Sequence, residues 1–169
     1  MAIRSNHYEV AFEELLRNRR SAHVVVDEQR RSLLSDRSLK SMDFIVYSDR
    51  SVNLLVDVKG RRFPSGGEAG HNKWENWTTP DELESLSHWE RIFGNGFRGL
   101  LVFAYHVWQS RYLSEVELPF EFRDRVYAFY GVWANDYRAA MRTRSTSWDT
   151  VTLPSAEFRR LRKPIAEFL

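Results

Sequence analysis

Residues 6–20 carry Tyr8, Ala11, Phe12, Leu15 and Leu16 three or four positions apart, the spacing of one helix face, and Asn6 with Glu9 has the form of a capping box. After this first predicted helix the period falls to two. Residues 22–26 form a short apolar run. Residues 44–48 and 54–59 are rich in β-branched and aromatic side chains, and Asp49, Arg50, Ser51 and Asn53 between them supply turn chemistry, so this stretch predicts a hairpin. Thr79, Pro80 and Glu82 spell a cap, a first-turn proline and a capping-box acid. The helix they open shows Leu83, Leu86, Trp89, Glu90 and Phe93 on one largely apolar face and stops at Gly94. Residues 100–107 are a continuous apolar run, as expected of a strand buried on both faces after a crossover helix. The pattern therefore predicts an α/β chain of αβββαβ order, a mixed central sheet flanked by helices. A C-terminal hairpin and helix extension follows, with strands at 115–122 and 126–133, a helix at 135–142 and a last strand at 149–153.

Composition narrows the classes. A chain of 169 residues with 43% hydrophobic content has material for one core, so a single domain is expected, its core part at about 5–107 and the extension at about 108–169. There is no cysteine, which excludes disulfides, zinc ribbons and thiol catalysis and fits a reducing cytoplasm. No apolar run reaches the ~18 residues of a membrane span. The net charge of +2 argues against a purely electrostatic coat for nucleic acid, while leaving room for a local basic groove. Of the basic residues only Lys40, Lys59, Lys73 and Lys163 are lysines, and the arginine excess suits bidentate phosphate contact as well as it reflects a compositional bias.

The hairpin is where charge is hardest to explain. Alternation sets Asn53, Leu55, Asp57 and Lys59 on one face of the second strand and Leu54, Val56 and Val58 on the other. An acid and a base two residues apart on a strand held in a sheet need partners, because a buried carboxylate without a cation or hydrogen bonds is costly. A further acid, Asp43, stands where the partner strand begins.

Asp43, thirteen intervening residues, then Asp57-Val58-Lys59 resembles the motif of the PD-(D/E)XK nucleases, with Met42 where that motif usually has proline. With an acid on the preceding helix, Glu9, the arrangement is most similar to the archaeal Holliday-junction-resolvase branch. The segment His7-Tyr8-Glu9-Val10-Ala11-Phe12-Glu13 also resembles the uncharacterised HYExAFE family. The nuclease resemblance implies the restriction-endonuclease-like fold and a Mg²⁺ or Mn²⁺ ion held by Asp43, Asp57, the Val58 carbonyl and Glu9. It also implies Lys59 beside the attacking water, DNA as partner, and a homodimer. Periodicity by itself leaves Glu9 equally able to be the capping acid. Arg61 and Arg62, directly beyond Lys59, are the foremost phosphate candidates, with Arg30, Arg31 and Lys73 as further ones.

Other features have ordinary readings. Trp74 and Trp77, on a Gly/Pro-containing segment, either stack on unpaired bases or fold back into the core, and the second is the default for indoles. Gly66-Gly67 lacks the Gly-Lys-Ser/Thr of a phosphate loop, and His7, His23, His71, His88 and His106 lack metal-binding spacing. The seven basic residues of 138–163 are either a flank that holds a duplex or a solvated face. Two alternatives to a DNA nuclease stand: an RNA-directed nuclease, and a non-catalytic nucleic-acid-binding or protein-interaction module in which Lys59 pairs with Asp57 structurally.

Overall fold

Asn6 accepts the Tyr8 N–H through its side chain at 3.0 Å and opens α1 (His7–Asn18), whose Ala11, Phe12, Leu15 and Leu16 are all buried. The computed structural model describes residues 6–27, 39–50, 52–66 and 73–169. The helix stops two residues short of the predicted end because Arg20 turns into the left-handed region at φ 56°. Three strands follow: β1 (Ala22–Val25), β2 (Phe44–Tyr47) and β3 (Asn53–Phe63), joined antiparallel in sequence order. Thr79 then caps α2 (Pro80–Phe93) with the full capping box, and the crossover delivers β4 (Phe97–Val107) parallel to β3, Asn53 facing Phe97 and Phe63 facing Val107. The αβββαβ order is present as the sequence predicts.

The C-terminal third departs in detail. Residues 110–115 form a tight 3-10 turn, and only β5 (Phe120–Phe122) of the predicted 115–122 strand is extended. Leu118 sits at φ 50° and Pro119 follows it, which ends any ladder before Phe120. An Arg123-Asp124 turn with both residues at positive φ leads to β6 (Arg125–Trp133), antiparallel to β4. The predicted helix is α3 (Ala134–Ala140), without a side-chain cap, and β7 (Arg142–Ser145) with β8 (Thr150–Thr152) makes a separate hairpin. β8 is not the last element. α4 (Ser155–Leu161) follows, and β9 (Lys163–Pro164) adds to the edge of β6. Among the described residues the main sheet has seven strands in the order β1-β2-β3-β4-β6-β5, with β9 beside β6.

β4 is buried on both sides, so the sheet has two cores. Phe44, Val46, Leu54, Val56, Val58, Leu100, Val102 and Ala104 meet α1 on one face. On the other, Leu55, Phe63, Leu101, Phe103 and Tyr105 meet α2, α3 and α4. Alternation thus carries Asp57, Lys59 and Arg61 to the α2 face and Val58, Gly60 and Arg62 to the α1 face.

Candidate active site

The last backbone contact of β2 with β3 is the Asp43 N–H to Val56 O bond at 2.8 Å, and there the Asp43 side chain takes over the ladder. Its Oδ2 accepts the Val58 N–H at 2.7 Å. In antiparallel pairing a residue's N–H and C=O face the same neighbour, so the Val58 carbonyl is turned to the Asp43 side as well. The Asp43 and Asp57 carboxyls are close enough to perturb each other's ionisation. The Lys59 ammonium, two residues along, is 3.0 Å from Asp57 Oδ2 and 2.8 Å from Glu82 Oε1.

These groups are nearly withdrawn from solvent. Asp43 is 7% exposed and the Lys59 side chain 11%. Asp43 is pushed up to about 8, chiefly by burial, with the charges of Asp57 and Glu9 acting in the same direction and the Val58 N–H bond opposing them. Burial raises Asp57 too, against the lowering pull of Lys59. For Lys59 burial alone would lower the value, but Asp57 and Glu82 together outweigh it and hold the amine raised and charged. Glu82 moves the other way, to about 2. Its burial is outweighed by Lys59 and by the Thr78 hydroxyl and Thr79 N–H, which donate to Oε2 at 2.6 and 3.0 Å.

Two adjoining buried carboxyls that resist joint ionisation, beside a backbone carbonyl, match a hard divalent cation that keeps several waters and takes one or two carboxylates. Among the described residues, no three Asp, Glu or His side chains converge tightly enough to hold a metal ion by themselves. Glu9 is near enough to act on Asp43 electrostatically, and its Oε1 accepts the Asn6 Nδ2–H at 2.9 Å. The capping interaction at α1 is therefore real, though its partner is the Asn6 side chain. Glu9 is carried to the site by a close fit: a Cβ on Gly60 would fall 2.1 Å from Tyr8 Cδ2, so the absence of a side chain there lets the first turn of α1 rest on β3.

The basic residues separate. Arg61 lies on the Lys59 face but its Nη2 donates to Trp77 O at 2.5 Å, and its guanidinium stacks 3.9 Å from the Trp77 ring centre. Arg62 is exposed on the α1 face, 4.7 Å over the Trp108 ring, opposite His106 on β4. Lys73 is exposed, and Arg30 and Arg31 fall outside the described residues. Trp74 stacks on Phe63 at 3.7 Å and packs, half-buried, against the core, in the direction the default for indoles has it. Sequence reasoning missed Glu82 as a site residue. It was recognisable only as the capping-box acid, and nothing local signals that its second oxygen reaches β3.

No protein-family model matches the chain, and no curated protein sequence matches it. The likeness of residues 7–13 to the HYExAFE pattern accordingly gains no support. Among solved structures, Hjc, a Holliday junction resolvase from the archaeal hyperthermophile Archaeoglobus fulgidus, is similar at a TM-score of 0.57 and 15% identity, over 95% of this chain and 96% of that one. The chain has the restriction-endonuclease-like fold. Within that fold the similarity spans both the αβββαβ part and the C-terminal third. That last third holds the loop beside the site. Asn76 is fixed by Leu153 through bonds of 3.2 and 2.7 Å, and Tyr137 donates to Asn76 O at 2.7 Å.

Proposed function

We propose that the protein is a divalent-metal-dependent nuclease that hydrolyses phosphodiester bonds in DNA, branched DNA in particular. The observation that carries this reading is the meeting of Asp43, Asp57 and Lys59 at the end of the β2 and β3 pairing, in a fold shared with a resolvase. Asp43, Asp57 and the Val58 carbonyl would hold Mg²⁺ or Mn²⁺, with Glu9 assisting from α1. The ion, when bound, supplies Lewis acidity toward the scissile phosphate and toward water.

Lys59 acts as a cation. Held protonated by two carboxylates, it is a poor proton acceptor and a good donor to an oxygen on which negative charge develops. Glu82 is a positioning residue that keeps the amine charged and fixed. The protein works as a homodimer, one site for each of two strands, in the cytoplasm; no described helix is long and apolar enough to cross a membrane.

The test is incubation with labelled linear, flapped and four-way DNA and with structured RNA, in Mg²⁺ and in Mn²⁺. Cleavage of DNA by the wild type that is lost in Lys59→Ala supports the proposal. Equal inertness of both proteins on every substrate ends it. That outcome favours the second reading, a non-catalytic nucleic-acid-binding or protein-interaction module, whose support is the double ion pair that engages Lys59.

A further inference from the structure

Trp148 is 79% exposed, more than any other large hydrophobic side chain among the described residues. It stands at the tip of the β7 and β8 hairpin, where its backbone N–H donates to Ser145 Oγ at 3.2 Å and Asp149 closes the turn at φ 46°. The turn is therefore built, and it presents an indole that could have been placed in the core. Tryptophan is highly buried on average and enriched where one side chain must meet a partner, so an indole this exposed is unusual.

The hairpin is wired to the candidate active site. Val151 of β8 exchanges backbone bonds with Thr78 at 2.9 and 3.0 Å, and the Thr78 hydroxyl donates to Glu82, whose other oxygen holds Lys59. From β7, the Arg144 guanidinium lies 5.3 Å over the Trp77 ring, the ring against which Arg61 is stacked. Trp148 is three residues along the chain from Val151, which keeps its backbone within roughly 10 Å of that anchor. Its neighbours along the turn are Thr146, Ser147 and Asp149, all exposed, and Arg142 and Arg144 of the adjoining β7 are exposed as well. A lone ring among polar neighbours lacks the apolar centre of a protein interface. It has what a nucleic-acid strand requires, a π-face for a base and guanidinium groups for the adjoining phosphates.

We infer that the β7–β8 hairpin is a second nucleic-acid contact, in which Trp148 stacks on an unpaired base of the strand that enters the Asp43–Asp57–Lys59 site, while Arg142 and Arg144 meet its backbone. The inference rests on nucleic acid being the ligand of that site, and it adds a substrate class: DNA with unpaired bases, as in single strands, flaps and open junctions.

Binding is measured without metal, in chelator, by anisotropy of labelled single-stranded, flapped, four-way and fully paired linear DNA, on wild type, Trp148→Ala and Trp148→Phe, with 2-aminopurine in the unpaired tract as a direct reporter of stacking. Trp148→Ala should weaken binding to the unpaired substrates about tenfold, leave the paired duplex unchanged and abolish 2-aminopurine quenching, while Trp148→Phe recovers part of both. Equal affinity of wild type and Trp148→Ala on all substrates, or an equal loss on the paired duplex, overturns the inference. Cleavage is scored separately: Trp148-dependent binding without hydrolysis in any metal sinks the nuclease reading alone, and hydrolysis indifferent to Trp148 sinks the stacking alone.

Discussion

Glu82 Oε1 lies 2.8 Å from the Lys59 ammonium, which joins the first turn of α2 to the middle of β3. The same carboxylate caps its own helix through Thr78 and Thr79, so one residue fixes both a helix start and a candidate catalytic amine. Glu82→Gln retains an acceptor for Thr79 and removes the charge. It should destabilise by about 1.5–3 kcal/mol, the range for a hydrogen bond to a charged group, and lower the Lys59 pKa by deleting one of its two anionic neighbours. The check is denaturation at neutral pH together with the alkaline limb of the cleavage profile. An unmoved alkaline limb would show that Glu82 has no hold on Lys59.

Arg61 and Arg62, adjacent in sequence, should behave differently. Arg61 is half-buried against Trp77, so Arg61→Ala should cost about 1–3 kcal/mol of stability through the orphaned Trp77 carbonyl and lost stacking. The dependence of DNA affinity on salt should stay the same. Arg62→Ala should leave stability within about 0.5 kcal/mol and flatten the plot of log affinity against log salt by about one unit, as for loss of one phosphate contact. Salt titrations of the two variants decide the matter, and the opposite assignment of slopes would refute it.

The reason these two residues looked equivalent shows what local pattern can carry. The alternation of Leu54, Val56 and Val58 with Leu55, Asp57 and Lys59 fixes β3, and Thr79-Pro80-Asp81-Glu82 fixes the start of α2, because each signal lies within a few residues. The meeting of Asp43 with Val58 was legible for the same reason, since a hairpin brings its two ends together. Whether Arg61 is free depends on Trp77, and the second role of Glu82 depends on Lys59 across a crossover, so neither appears in any window of sequence. The C-terminal third was misread where Leu118 and Pro119 interrupt an apparently regular strand. Core packing was the default for Trp74 and Trp77, and Trp74 does stack on Phe63; the exposed indole is Trp148, which no local pattern singles out.

Gly60 sets the approach of α1 to the site. A methyl group there would stand 2.1 Å from the Tyr8 ring and would push away the turn that carries Glu9. Gly60→Ala should therefore destabilise by about 1–3 kcal/mol, the cost of overpacking, although alanine is intrinsically better than glycine in a strand. The double variant Tyr8→Ala, Gly60→Ala should recover part of that loss relative to the sum of the single ones. Urea unfolding of the four proteins closes the double-mutant cycle, and strict additivity would mean the two residues do not touch.

Asp43 gives the sharpest link between stability and metal. Its carboxyl is raised from the ordinary 3.8 to about 8 in the folded chain, so its contribution is complete below 3.8 and is lost as pH rises through about 8. Asp57, also raised, acts with the same sign. Glu82 has the opposite sign, complete above 4.5 and lost only as pH falls through about 2, and burial lowers His7 and His106 below 6.5, so neither interferes in alkaline solution. In chelator, then, the wild type should lose at least about 1.4 kcal/mol between pH 7 and 9, one unit's worth of pKa shift, and Mg²⁺ should restore it with release of a proton. Asp43→Asn mimics the protonated acid and keeps an acceptor for the Val58 N–H. It should abolish the alkaline loss, remove the gain from Mg²⁺ and reduce cleavage by on the order of 100-fold or more. Thermal unfolding at three pH values, with and without Mg²⁺, tests all of this. A wild type whose alkaline stability ignores Mg²⁺ would show that the paired carboxyls do not hold the ion.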